Sequence, residues 1–115
     1  MEQKLIICIV NSGFADAVMD AARDAGARGG TIVNARGAAR AEAEKKYQVS
    51  IHQDKDLVLI VVDETIREEI LHLLYKKVGF NTPAQGFLFS LPIDESAGFN
   101  NPSNIETSLD DSEEE

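Results

Sequence analysis

Two runs decide the fold: Leu5-Ile6-Ile7-Cys8-Ile9-Val10 and Leu57-Val58-Leu59-Ile60-Val61-Val62. Each is short, wholly apolar and rich in β-branched residues, the signature of a strand buried on both faces. Successive strand side chains point to opposite faces, so six apolar residues in a row make both faces greasy. Working outward, Asn11-Ser12-Gly13 reads as a turn. From Phe14 to Ala25, Ala15, Val18, Met19 and Ala22 recur at helical spacing, with Asp16, Asp20, Arg23 and Asp24 on the other side. Gly26 fits a helix C-terminus. Thr31-Ile32-Val33 reads as a strand. Tyr47, Val49 and Ile51 alternate with polar residues as a strand does, and Gln53 to Asp56 reads as a turn or bulge. After the second run, Asp63 or Thr65 can cap a helix, with Thr65 and Glu68 at capping-box spacing. Ile66, Ile70, Leu73, Leu74 and Lys77 share one face, flanked by Leu71 and Val78, and Gly79 ends it. Phe87-Leu88-Phe89-Ser90-Leu91 is a last strand, stopped by Pro92.

The order strand, helix, strand, strand, helix, strand predicts an α+β, ferredoxin-like βαββαβ sandwich. It has a four-stranded antiparallel sheet with two helices on one face. The two apolar runs are then the central strands. Helices cover one side of each, and the other would expose a row of aliphatic side chains that soluble monomers rarely tolerate. Burying six of them is worth on the order of 10 kcal/mol gross per protomer, before association costs. A homo-oligomer closed around that face is expected.

The 115 residues suffice for one domain. The formal charge is −9, from 20 acidic and 11 basic residues. Residues 1–77 carry 12 acids and all 11 bases, so the acidity belongs to the C-terminal third. An acidic chain is a poor general nucleic-acid binder. Residues 1–95 are read as the folded domain and 96–115 as an acidic, flexible tail with too little apolar surface to offset ordering. One cysteine, Cys8, excludes an internal disulfide. The start of the chain lacks the pattern of a signal peptide, and no run approaches a membrane span, so the expected location is cytoplasmic.

No catalytic set emerges: His52 and His72 stand far apart in sequence, and no serine has a recognisable base partner. The expectation is a protein that is not an enzyme and holds no catalytic metal. Two segments invite a ligand or partner. Gly26-Ala27-Arg28-Gly29-Gly30-Thr31 allows close backbone approach, as does the loop bracketed by Gly79 and Gly86. The polar 36–48 segment is long for a hairpin connection and suits an arm that docks on a partner or folds over a ligand.

The residues Gly26 to Val33, then Arg36-Gly37 and a long loop, then Leu57 to Glu64, and finally Gly86-Phe87-Leu88-Phe89-Ser90-Leu91-Pro92-Ile93, resemble the nitrogen regulatory PII family of signal transduction proteins. That resemblance covers most of residues 3–93. It implies a homotrimer with an adenine-nucleotide pocket between subunits. Gly29, Gly30, Thr31, Gly37, Ala38 and Arg40 would line one wall, and Gln85 and Gly86 the other. Loop 37–48 would be the T-loop equivalent, with Arg40, Glu42, Glu44, Lys45, Lys46 and Tyr47 reaching a regulated partner protein such as a membrane transporter. The chain departs from the family pattern at several positions. Ala38 and Ala39 replace an aromatic residue and a glycine, and Ala41 replaces a glutamine that helps hold magnesium and 2-oxoglutarate. Asn81-Thr82-Pro83-Ala84-Gln85-Gly86-Phe87 lacks both lysines of the family's T-G-K-I-G-D-G-K loop. The paired arginines after the last strand are absent. These departures shift the expected ligand from ATP toward a less charged adenine nucleotide or another small molecule. The alternative is a ferredoxin-like trimer for divalent-metal tolerance, with Cys8, His52 and His72 as donors.

Overall fold

The computed structural model describes residues 2–38 and 52–98. Six elements follow the expected order: β1 (Gln3–Asn11), α1 (Ala15–Asp24), β2 (Thr31–Ala38), β3 (His52–Asp63), α2 (Glu64–Val78) and β4 (Phe87–Ile93). The sheet order is β2-β3-β1-β4, and every neighbouring pair is antiparallel. The two apolar runs are therefore the central strands, as expected.

Alternation along those strands divides the sheet into two sides. Ile6, Cys8 and Val10 of β1 and Val58, Ile60 and Val62 of β3 are buried. They pack under Val18, Met19 and Ala22 of α1 and Ile70, Leu74 and Val78 of α2. Alanines dominate the buried stripe of α1 (Ala15, Ala21, Ala22), which keeps that face flat against its neighbours. The helix closes in a Schellman arrangement: the Ala27 N–H donates to the Ala22 carbonyl at 2.9 Å and the Gly26 N–H to that of Arg23 at 3.0 Å. Gly26 carries φ +114°, a conformation that suits glycine.

Several boundaries differ from the sequence reading. Gln53 to Asp56 is neither turn nor bulge; it belongs to the unbroken strand β3. The second strand does not stop at Val33 but runs on to Ala38, paired down to Ala38 opposite His52. Gly37 and Ala38, expected at the start of the long loop, thus lie in β2. The polar alternation of both stretches has a physical cause, because β2 is the sheet edge and wet on most of its length. The last strand continues through Pro92 to Ile93; β4 is also an edge, where the missing N–H of proline is tolerated. In α2 the buried line is Ile70, Leu74 and Val78, while Lys77 is exposed rather than facing in. Asp63 occupies the N-cap position of α2 without a side-chain cap bond, so neither Asp63 nor Thr65 acts as expected there. Instead the Glu64 N–H donates to the Glu2 carbonyl at 3.0 Å, and the Glu64 carboxylate meets Lys4 at 3.5 Å and Arg67 at 3.6 Å. The strand expected from Tyr47, Val49 and Ile51 and the tail beyond residue 98 lie outside the described residues. Among the described residues no helix is long and apolar enough to cross a membrane.

Candidate functional site

On the side away from the helices, strand pairing lines up three cross-strand rows. Thr31, Leu59, Ile7 and Phe89 form one, Val33, Leu57, Ile9 and Phe87 a second, and Val61, Leu5 and Leu91 a third. Among the described residues no helix covers this side. Leu5, Ile7, Ile9, Leu57, Leu59 and Val61 are only half-buried by their neighbours. At the edges Phe87 is 62% exposed, Leu91 45% and Val33 40%. Phe87 and Phe89 pack against each other within this surface, ring centroids 5.4 Å apart and planes tilted by 47°. Since the central six are already half-covered, closing over them yields roughly half the gross figure that full exposure would give.

The residues expected to bind a ligand fall on opposite borders of that sheet. Gly29 and Gly30 lead into β2, and Thr31 begins it, exposed. Gln85 and Gly86 lead into β4, the other edge. Three strand spacings, about 14 Å, separate those edges. One chain therefore does not bring the two sets together, although a neighbouring copy could. Gly37 and Ala38 close β2 at the same end of the sheet as the loop of residues 79–86, the end at which β1 finishes. Arg40, Glu42, Glu44, Lys45, Lys46 and Tyr47 lie outside the described residues.

The glycines are not equivalent. A Cβ on Gly30 would sit 2.7 Å from the Leu59 carbonyl oxygen and 3.0 Å from the Met19 sulfur, so packing alone requires glycine there. Gly86 is held by the same kind of crowding, against the Val78 carbonyl. At Gly29 a Cβ would meet open space, and no unusual φ is needed. Its lack of a side chain has no internal explanation and leaves the backbone open to a ligand.

Strand pairing also assembles a polar chain that the linear sequence does not reveal. Lys55 lies on the open side at the arm end of the sheet, and its Cε passes 3.5 Å from where a Gly37 Cβ would be. Its ammonium donates to Asn11 Oδ1 at 2.8 Å. The Asn11 amide then donates to the Pro83 carbonyl at 3.0 Å, with Gln85 Oε1 at 3.5 Å. The Asn11 N–H donates to the Ala84 carbonyl at 2.9 Å. Gln85 itself has φ +49°, the left-handed region. Asn11 and Lys55 thereby tie the arm base to the loop ahead of β4. They are separated by 44 residues, and Asn11 from Pro83 by 72, so only the strand register could have revealed them. On the helix side of the same end, buried Asp56 accepts the Gly13 N–H at 3.2 Å and fixes the turn after β1.

A shallow cleft of about 350 Å³ lies at the far end of the sheet, between the start of β1 and the residues after β4. It is lined by Glu2, Lys4, Asp94, Glu95 and Ser96 among others and holds none of the expected binding residues. Ser96 Oγ donates to Gln3 Oε1 there at 2.5 Å. Of the donors of the metal reading, Cys8 and His72 are not brought together, and the His52 side chain lies outside the described residues. Cys8 is buried under the helices and its thiol is pushed up to about 12 by desolvation, while His72 is exposed on α2. Among the described residues no group of three or more His, Cys, Asp or Glu side chains is placed to hold a metal ion.

The fold defines a class: a ferredoxin-like α+β domain with one apolar sheet face that the helices do not cover. The sequence matches the family model of the Nitrogen regulatory protein P-II over residues 3–99, and the chain belongs to that family. Among solved structures it is similar to B. subtilis GlnK in complex with ATP (TM-score 0.68, 13% identity, 84% of this chain and 85% of that one). It is also similar to B. subtilis GlnK (TM-score 0.62, 13% identity, 84% and 90%). A third likeness is to a Bacillus cereus protein related to NIF3 (TM-score 0.65, 14% identity, 82% of this chain but 26% of that one). At such identities these likenesses establish the fold. Comparison with curated protein sequences returns no significant match.

Proposed function

We propose that the protein is a homotrimeric signal transduction regulator of the P-II kind. It senses a small ligand, an adenine nucleotide, at clefts between subunits and changes its grip on a partner protein through residues 37–48. The observation that carries this reading is the separation of the two binding sets. Gly29–Thr31 and Gln85–Gly86 occupy opposite edges of one sheet whose intervening face is apolar and left uncovered by the described residues. Closing that face against other copies would set the β2 edge of one subunit near the β4 edge of the next. The folded unit is read as residues 1–95, with 96–115 as an acidic tail. The P-II family membership supports a regulatory role rather than catalysis.

A ligand shifts the arm only by binding one arm state better than another. The base of the arm, Gly37 over Lys55, is linked through Asn11 to the loop at Pro83 and Gln85, so occupancy at that loop has a physical route to the arm. Isothermal calorimetry of the full chain with ATP, ADP, AMP and cyclic adenine dinucleotides tests the reading. Binding heat from at least one, together with a raised melting temperature, is expected. Uniform absence of heat and of any thermal shift would remove the adenine-sensing role.

A further inference from the structure

We infer that Asn11 is the positioning residue of the loop ahead of β4: it holds Gln85 in a left-handed conformation, and Lys55 sets which way the Asn11 amide faces. The inference deepens the reading above, on which Gln85 meets a ligand, and names the side chains that shape that wall.

Gln85 is the one non-glycine residue of positive φ among the described residues, at +49°. A residue with a Cβ occupies that region at a cost, because the Cβ crowds the following carbonyl oxygen. Gln85 is exposed, so core packing does not hold it there. Part of the hold is the loop's own. The Thr82 N–H donates to the Gly79 carbonyl at 3.0 Å, that of Gln85 to the Thr82 carbonyl at 2.9 Å, and that of Ala84 to Thr82 Oγ1 at 3.2 Å. The Gly79 and Gly86 N–H groups donate to the Tyr75 and Val78 carbonyls at 3.0 Å and 2.8 Å, which ties the loop to α2. Among the described residues, the loop's hydrogen bonds to β1 all come from Asn11. Its N–H donates to the Ala84 carbonyl at 2.9 Å and its Nδ2 to the Pro83 carbonyl at 3.0 Å, with Gln85 Oε1 at 3.5 Å. Pro83 and Ala84 are thus pinned to β1 and Gly86 to α2, and Gln85 is the residue that turns between the two anchors.

Lys55 decides how Asn11 is turned. Its ammonium donates to Asn11 Oδ1 at 2.8 Å, although Asp54 and Asp56 flank it in sequence. Strand alternation sends those two carboxylates to the other side of the sheet, where Asp56 accepts the Gly13 N–H. An ammonium has only donors, and an amide has an acceptor end and a donor end. With Oδ1 held by the cation, Nδ2 must face Pro83. The reversed amide would set two donors against each other and two acceptors against each other. The Lys55 stem also passes 3.5 Å from where a Gly37 Cβ would lie. Displacement at the end of β2 therefore reaches the turn at Gln85 through two hydrogen bonds, and the coupling is reciprocal.

The test is nuclear magnetic resonance of the full-length protein without ligand, comparing the natural chain with Asn11→Ala, Asn11→Asp and Lys55→Met. Two signals are read: amide exchange at Thr82 and Gly86, and the strong Overhauser effect between the N–H and Hα of Gln85 that a positive φ produces. Asn11→Ala should speed exchange at both amides about fivefold or more and weaken the Overhauser signal. Asn11→Asp keeps an acceptor for Lys55 but has no N–H for Pro83, and should match Asn11→Ala. Lys55→Met leaves every atom of the loop and of Asn11 in place, and should still speed exchange about twofold or more. The Val58 amide, in a strand paired on both sides, should stay protected throughout. Natural exchange and an intact Overhauser signal in any of the three variants overturn the inference. So does acceleration at Val58 equal to that in the loop, which would make the effect one of global stability. No ligand enters the measurement, so the sensing role is decided separately by calorimetry.

Discussion

The two sides of this sheet are written in the same six-residue runs and live in different surroundings. In β1 the even residues Ile6, Cys8 and Val10 are sealed beneath helices, while Leu5, Ile7 and Ile9, one position away, are half-open. The same division runs through β3. On the first side, packing within one chain is complete. On the second, an apolar surface of equal quality is left open by the described residues, and its edges carry the residues expected to meet a ligand. The difference teaches that the fold is finished by its helices but the site is not finished by the fold.

The contrast breaks most visibly if the open face is charged. Ile7→Asp combined with Leu59→Asp should weaken self-association by at least about a hundredfold, because each buried carboxylate would lack a partner. The subunit should still show its native circular dichroism. Light scattering that still reports the full assembly would mean this face is not the interface. Truncation on the helix side should do the converse. Ile60→Ala is expected to cost about 2–4 kcal/mol in urea unfolding, with subunit number unchanged at moderate concentration. A loss of assembly without loss of stability would reverse the assignment of the two sides.

A second comparison sets Gly30 against Gly29. Gly30→Ala must push on the Leu59 carbonyl and Met19, and should destabilise by about 1–3 kcal/mol. Gly29→Ala should lie within about 0.5 kcal/mol of the natural chain, while lowering affinity for any ligand that approaches this turn. Equal stability losses would return Gly29 to an internal role.

The smallest effect concerns Cys8. Its thiol, pushed up to about 12, stays neutral in the folded state while the unfolded chain ionises near the ordinary thiol value of 9.0. The unfolded state is thus favoured as pH rises, and the contribution from Cys8, complete below pH 9, is lost progressively between about 9 and 12. At pH 8 a thiol reagent should modify native Cys8 no faster than the chain opens. Fast labelling without unfolding would contradict burial on the helix side.

The element order was legible because each strand and helix carries its own periodicity, and the central position of the two runs followed from their doubly apolar composition. The polar parts of the β2–β3 pair were not. Arg36-Gly37-Ala38 and Gln53-Asp54-Lys55-Asp56 read as connection because at the wet edge of the sheet the usual apolar alternation has nothing to pack against. For the site, the glycine turn at Gly29-Gly30-Thr31 and the loop ending at Gly86 were visible as composition. That packing claims Gly30 and Gly86 but not Gly29 depends on neighbours distant in sequence. Lys55 and Asn11 gave no linear signal, since their link to Pro83 and Gln85 exists only through the register of β1 and β3 and the loop bonded to Asn11.

The central claim is that copies of this chain cover the open face. Sedimentation equilibrium of the full-length protein tests it directly, at micromolar concentration and near-physiological salt. A particle of three times the 12.6 kDa chain mass is predicted. A stable 12.6 kDa species that does not self-associate would contradict it.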